Sequence, residues 1–307
     1  MSDFRDVGRR LSNWARWGAD DQLGTLNHIT PERIAAAARL AQTGRLFDLG
    51  IDIGRPGVQR VGGIRSNPVH LMNLTPLDMR DHPDHVCICD DYIMMPLQSV
   101  TQWDGLAHFG YDERFYNDIP ADSVTTLNGS PRLSIHRIAS RGIVGRAVLL
   151  DCAGFAGVER LPVETRIDPP FLNAVSSKQG VELRAGDILL VRTGWIRHIS
   201  VDRDVEAYWR GEPGLALECA EWLHHRDVAA VAADNWGVEV VRPDRVGGMP
   251  LHAVLIRDMG MTLGEIFNFE QLAEDCRKDH VWEFFFTAPP LKVVGGVGSP
   301  ITPLAIK

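Results

Sequence analysis

Two carboxamides, a carboxylate and an imidazole fall within one short stretch, Gln98-Ser99-Val100-Thr101-Gln102-Trp103-Asp104-Gly105-Leu106-Ala107-His108. The apolar run Tyr92 to Leu97 before it reads as a strand, and a strand that continues sends successive side chains to opposite faces. Gln98, Gln102 and Asp104 then share one face, and Leu97, Ser99, Thr101 and Trp103 take the other. Gly105 permits a bend, with His108 just beyond it. Such groups are costly to bury without partners. A ligand, a metal or a hydrogen-bond network must satisfy them, and a structural polar network at a sheet edge would do so as well.

Later in the chain, His252 and Glu265 lie on adjacent elements after a reversal near Gly260. Carboxylates and imidazoles are the donors that a hard or borderline divalent cation requires. Asp104, His252 and Glu265 are therefore candidate ligands, with Gln98 and Gln102 as weaker oxygen donors. The structural alternatives are a satisfied core histidine at His252 and a helix cap at Glu265. His70, His82 and His85 are spaced along a loop-like stretch and read as solvated, His70 being the best ligand candidate of the three. Trp103, Phe109 and Trp195 are candidates for an aromatic wall beside a substrate, with core packing as the alternative for each.

The elements that must position these residues are mixed. Thr30-Pro31-Glu32 starts a helix that runs through Leu40 and stops near Gly44. Leu46 to Ile53 alternates and reads as a strand. Gly142 to Asp151, Gly186 to Trp195 and Asp227 to Asp234 read as buried strands, and Val281 to Thr287 as an aromatic one. Pro169 to Gln179, Leu215 to Arg226, Leu251 to Ile256 and Phe269 to Arg277 read as helices. The loops Gly54–His85 and Phe109–Asn128 are placed to line a site. Two tryptophans, Trp14 and Trp17, anchor an irregular N-terminal arm against a core or a partner subunit. Strands outnumber helices without a regular βαβ rhythm, which favours α+β: an arm and helix over 1–45, then one catalytic domain over 46–307.

The chain has 307 residues, 45% hydrophobic and 23% charged, an ordinary globular composition. A formal net charge of -8 argues against a nucleic-acid partner. No stretch approaches the roughly 20 apolar residues that span a bilayer, and Met1 to Asp6 lacks the apolar core of a signal peptide, so a soluble cytoplasmic protein is expected. Five cysteines do not form a disulfide framework; Cys87 and Cys89 read as two thiols on one strand face. Neither a Walker loop nor a GxSxG elbow is present, and Gly295-Gly296-Val297-Gly298 lacks the context of a dinucleotide fingerprint.

On these residues the chain resembles the cyclase family that includes bacterial kynurenine formamidase and isatin hydrolase. That family carries H-x-G-T-H-x-D-x-P-x-H, which lies over Gln98 to His108. Thr101, Asp104 and His108 match. Gln98 and Gln102 stand where the family has histidine ligands, Val100 where it has Gly and Leu106 where it has Pro. Gly186 to Trp195, Pro213-Gly214-Leu215, His252, Glu265 and the tail from Pro289 to Pro300 extend the resemblance from about Asp48 to the end. The arm Trp14-Ala15-Arg16-Trp17-Gly18 and Thr101-Gln102-Trp103-Asp104-Gly105 resemble one branch of it.

The resemblance implies a swivelling β/β/α fold, a homodimer or homotetramer with sites near subunit interfaces, and hydrolysis of an amide or lactone bond in a small molecule. It also implies one divalent metal, Zn or Mn, on Asp104, His252 and Glu265, with His108 as acid/base and Thr101 and Gln102 orienting the substrate or its oxyanion. Glutamine offers only a neutral carbonyl oxygen in place of imidazole nitrogen. Three outcomes remain open: one surviving metal, an oxygen-preferring ion supported by Gln98 or Gln102, or a metal-free site. The last would suit a lyase, an isomerase or a small-molecule binding protein.

Overall fold

The computed structural model describes residues 3–244 and 248–307. Within them the strands are β1 (Leu46–Asp48), β2 (Val69–Leu74), β3 (Asp90–Met94), β4 (Gln102–Asp104), β5 (Val144–Asp151), β6 (Arg166–Ile167), β7 (Ile188–Arg192), β8 (Gly214–Leu215), β9 (Ala230–Ala233), β10 (Thr262–Glu265), β11 (Glu283–Thr287), β12 (Gly298–Pro300) and β13 (Leu304–Ile306). One mixed sheet has the order β1-β13-β11-β5-β7-β9-β10-β4-β12, while β2–β3 and β6–β8 are separate pairs. With helices packed around this sheet, the class is α+β.

The middle of the sheet, β5, β7, β9 and β10, is parallel. Parallel strands covered on both faces must be apolar on both. Ala147-Val148-Leu149-Leu150, Ile188-Leu189-Leu190-Val191 and Ala230-Val231-Ala232-Ala233 are accordingly all fully buried. Helices Pro31–Ala38 and Pro169–Gln179 pack on β5. Each begins with a side-chain cap followed by proline: Thr30 accepts from the Arg33 amide and Asp168 from the Phe171 amide. Gly180 closes the second in the left-handed conformation that glycine adopts freely.

The edge that matters for chemistry lies beyond β10. There β4 runs antiparallel between β10 and β12, with Gln102 opposite Glu265 and Asp104 opposite Leu263. Gln102 and Asp104 share one face as alternation requires. Trp103 takes the other face, fully buried, edge-on to Phe267 and Phe286, its indole donating to the Ala288 carbonyl at 2.9 Å. Trp103 is therefore a core residue and forms no substrate wall.

The strand expected from Tyr92 onward does not continue into this edge. β3 ends at Met94 and pairs only with β2 in an antiparallel hairpin. Pro96 cannot donate to a ladder, and a turn follows before β4 begins at Gln102. Gln98 thus lies in a turn and does not share a strand face with Gln102 and Asp104. Likewise the strand expected over Leu46 to Ile53 stops at Asp48. His70 is on the hairpin, where it faces Asp91 at 2.6 Å on the surface, and in the loop that follows β2 His82 is half-buried and His85 exposed. Cys87 and Cys89 are exposed and precede β3, so they do not form a strand face.

The N-terminal arm is anchored within its own chain. Helix Phe4–Leu11 packs on the π-helical segment Ala253–Asp258. The Trp14 indole donates to the Arg257 carbonyl at 2.7 Å, and Asn13 donates twice: its backbone amide to the Asp258 carbonyl and its carboxamide to the Met259 carbonyl, each at 2.9 Å. Trp17 is edge-on to His28. None of the helices among the described residues is long and apolar enough to cross a membrane.

Gly264, in β10 beside Glu265, has no room for a side chain. A Cβ there would meet Ala232 and Trp103 at 2.6 Å and Phe267 at 2.8 Å. Gly264→Ala is expected to destabilise the chain by about 1–3 kcal/mol through overpacking. A fall in the urea midpoint with an unchanged slope checks this; an unchanged midpoint would show that Trp103 yields freely.

Candidate metal centre

β4 and β10 bring Gln102 and Asp104 beside Glu265, and the turn of helix Pro250–His252 adds His252. That turn passes directly into the π-helical segment braced by the arm. Single π turns within helices recur at functional sites because they re-aim a side chain. One ligand atom from each of Asp104, His252 and Glu265 lies within 4.8 Å of the others, and all three residues are buried.

The hydrogen bonds fix most of these groups. Gln102 Nε2 donates to Glu265 Oε2 at 2.6 Å. A carboxylate only accepts, so the amide nitrogen must face Glu265 and the Gln102 oxygen must face the other way. His252 Nε2 is 3.1 Å from Glu265 Oε1, and His252 Nδ1 is 3.1 Å from Glu239 Oε1. Glu239 also accepts from the backbone amides of His252 and Leu251, at 2.7 and 3.2 Å. A carboxylate behind a ring nitrogen is the arrangement that orients ligating histidines.

Asp104 differs from its neighbours. Neither of its side-chain oxygens has a hydrogen-bond partner among the described residues, and Gln102 Oε1 has none either. Its nearest cationic candidates are His108 Nε2 at 3.7 Å and His252 Nε2 at 3.9 Å, both beyond hydrogen-bonding range. Burial, then the charge of Glu265, pushes the Asp104 carboxyl well above the usual carboxylate range. Burial opposes charge on His252 too, but its bonds to Glu239 and Glu265 outweigh that and raise it to about 10. Glu212, buried and with Oε1 unpartnered, adds another carboxyl raised chiefly by burial. The unpartnered oxygens of Asp104, Gln102 and Glu212 and an excess of carboxylates over cations fit a bound divalent cation, whose charge would reverse this local pKa logic. The donor set of one imidazole nitrogen among oxygens lies on the oxygen-preferring side of the borderline metals.

His108 is 21% exposed at its side chain and faces this cluster from the solvent side. Its Nδ1 is 3.5 Å from Gln98 Nε2. Nε2 is the ring nitrogen nearer Asp104; with the ring proton on Nδ1 and the Gln98 carboxamide rotated to accept it, Nε2 is the free base. Burial, with the charges of Arg65 and His252 adding to it, lowers the His108 pKa to about 3, so the imidazole is neutral. Phe109 is edge-on to His252, 5.8 Å between ring centres, and lines the cluster.

Other expected site residues have different work. The Thr101 hydroxyl donates to the Ile266 carbonyl at 2.6 Å and accepts from the Ile51 amide at 2.9 Å, leaving it engaged with backbone and turned from any substrate. Trp195 is buried with Val58, Ile196, Tyr208 and Ile266 and donates to the Tyr208 carbonyl at 3.0 Å, which makes it a packing residue. Gln98 touches His108 and not the three-residue cluster. Glu265 does not cap the following helix; its carboxylate is taken by Gln102 and His252. Glu239, Glu212 and Arg65 went unread. The first two are single acids in short alternating runs around Gly214 and Val238, and the signal available was a charge between apolar neighbours.

Residues 26–240 match the family described as "Putative cyclase". The chain belongs to the cyclase family. A crystal structure described as a novel cyclase superposes with a TM-score of 0.90 and 39% identity, covering 98% of this chain and 99% of that one. The isatin hydrolase of Roseibium aggregatum is 27% identical over 161 residues, 47% of this chain and 55% of that protein, so the match spans about half the length of this curated relative. Isatin hydrolase A from Ralstonia solanacearum shares the fold at a TM-score of 0.63 and 20% identity, over 90% of this chain and 97% of that one.

Glu239 acts on the cluster only through His252. Glu239→Gln is expected to leave the fold intact and weaken divalent-metal affinity roughly 10–100-fold. Competition against a fluorescent chelator reads this directly, and an unaltered affinity would reject the orienting role.

Proposed function

We propose that this cyclase-family chain is a metal-dependent hydrolase of an amide or lactone bond in a small molecule. The observation that carries the reading is Asp104: a fully buried carboxyl with both oxygens unpartnered, next to His252 and Glu265. The relatives named isatin hydrolase support a hydrolase.

Asp104, His252 and Glu265 would hold one divalent metal, zinc or manganese, with Gln102 Oε1 as a further oxygen donor. When bound, such an ion lowers the pKa of water and polarises a carbonyl. The remaining chemistry belongs to the chain. Glu239 holds the His252 ring in one orientation. Gln102 neutralises part of the demand of Glu265 by donating to it. His108, neutral and open to solvent on one side, takes a proton from the attacking water and returns it to the leaving nitrogen or oxygen as the acyl bond breaks. Gln98 lies against His108 Nδ1 and accepts its hydrogen bond, which leaves Nε2 as the nitrogen that takes and returns the transferred proton. Phe109 presents an apolar edge that limits water around the reacting centre.

Elemental analysis of protein purified without added metal or chelator tests this. About one Zn or Mn per chain is expected, lost in Asp104→Ala and His252→Ala. His108→Ala should retain the metal and the fold while losing roughly 100-fold or more in turnover of whichever amide or lactone a screen identifies. A native chain that takes up no metal even when incubated with Zn or Mn would reject the reading in favour of a metal-free lyase, isomerase or binding protein.

We also propose a homo-oligomer, a dimer or tetramer, joined through the β2–β3 hairpin. Leu71, Met72, Tyr92, Ile93 and Met94 are all about half exposed or more, on both faces of a two-stranded element. An isolated hairpin of this kind is marginal in water. Tyr92→Asp combined with Met94→Asp should convert the native assembly to monomer in light scattering; a native chain that is already monomeric would defeat the proposal.

A further inference from the structure

The loop before the hairpin is built to hold one cation at the mouth of the site. Asn67 and Gln59 close it on itself: the Gln59 amide donates to Asn67 Oδ1 and Asn67 Nδ2 donates to the Gln59 carbonyl, both at 2.8 Å. Gln59 Nε2 then ties the loop to the Ser99 carbonyl at 2.9 Å, and the Trp209 indole holds the Val58 carbonyl at 2.7 Å. Gly57 permits the closure, because a Cβ there would overlap the Asn67 side chain. Val61 and Ile64 at the tip are fully exposed, so apolar packing at the tip does not fix this conformation; the amide clamps do.

Between these clamps Arg65 turns inward. Its Nη1 donates to the Gln98 carbonyl at 2.8 Å, one residue type removed from nothing else charged: no carboxylate pairs with it among the described residues. Its positive charge bears on both Asp104 and His108. A guanidinium offers five N–H donors in a planar fork, of which the Gln98 carbonyl takes one. The fork matches a carboxylate, and the cluster behind it is rich in carboxylates that would repel an anion unless a local cation compensates.

We propose that Arg65 binds a carboxylate of the substrate, so that the site acts on acidic small molecules. This deepens the hydrolase reading, on which it rests, by naming the substrate class. The clamped loop holds the guanidinium on the Gln98 carbonyl, and the side chain of the same Gln98 reaches His108.

The test uses the metal-loaded full chain and two probes of equal shape, benzoate and its neutral analogue benzamide, in calorimetry. The native protein should bind benzoate about tenfold or more tightly over benzamide, the scale of a charge-assisted hydrogen bond. Arg65→Gln should abolish that preference while metal content and thermal midpoint stay unchanged, and Arg65→Lys should retain part of it. A preference that survives in Arg65→Gln places the anion site elsewhere and overturns the proposal, as does a native protein with no preference. Metal content, read separately, keeps the two readings apart. A chain without metal that still shows an Arg65-dependent preference would reject the hydrolase and sustain the anion site.

Discussion

A carboxyl sealed from water with no donor to either oxygen is the constraint around which this molecule is arranged. Removing a charged carboxylate from water without partners costs several kcal/mol or more, and with no hydrogen-bond partner among the described residues the Asp104 carboxyl is pushed toward its protonated form unless a cation binds. Its backbone is nonetheless held firmly. The Asp104 carbonyl accepts from the Thr262 hydroxyl, and the Gly105 amide donates to the Val297 carbonyl at 2.9 Å. The fold therefore fixes the position of the carboxyl while leaving its oxygens free. That combination is uneconomical for stability alone and suited to a ligand. Glu265 and Glu239 sharpen it, since they take both ring nitrogens of His252 and leave that imidazole 3.9 Å from Asp104, beyond hydrogen-bonding range.

The same sheet edge couples this chemistry to the core. Within β4 the side chains alternate, so the residues that face the cluster and the tryptophan that anchors the opposite face are adjacent in sequence. A slip of one residue would put Trp103 among the carboxylates and Asp104 into the apolar core. The indole bond to Ala288, the absence of a side chain at Gly264 and the pairing of β4 with both β10 and β12 all guard against that slip. On the other side of the cluster, the arm performs the corresponding task. Its contacts to Arg257, Asp258 and Met259 support the π-helical segment that begins directly after His252.

How much of this was legible in the sequence depends on the length of the signal. Buried parallel strands announce themselves through runs such as Ile188-Leu189-Leu190-Val191, and helices through Thr30-Pro31 and Asp168-Pro169. Asp104, His252 and Glu265 were recoverable because their types are rare in apolar surroundings and because their spacing resembles a family motif. The apolar run at Tyr92 misled for a physical reason: apolar strands normally mark a core, whereas β3 is exposed along its whole length. The turn at Pro96 then shifted Gln98 out of the face it was assigned. Glu239 has no local signal because its meaning lies in a contact with His252, thirteen positions away, which no short-range pattern encodes. Strand alternation already set Trp103 on the face opposite Gln102 and Asp104, whereas Trp195 follows β7 in a turn whose packing against Tyr208 and Ile266 no strand phase encodes.

The two glutamines bring these threads together. At the motif positions where the family has histidine, an imidazole would supply a nitrogen to a metal. Glutamine cannot do that, yet each amide here has a definite hydrogen-bonding partner. Gln102 must turn its nitrogen to Glu265, because the carboxylate has no proton to give, and this leaves its oxygen as the free end. The Gln98 carboxamide lies 3.5 Å from His108 Nδ1, which leaves Nε2 as the ring nitrogen nearer Asp104. The substitutions thus replace two imidazoles by two carboxamides, one against a carboxylate and one against an imidazole, with one amide oxygen left unpartnered. A cluster rebuilt in this way offers fewer nitrogen donors and more oxygens, a donor set on the oxygen-preferring side of the borderline metals. The departure from the motif therefore exchanges imidazole lone pairs for carboxamides that pair with Glu265 and lie against His108, while Asp104 keeps both oxygens without a partner among the described residues.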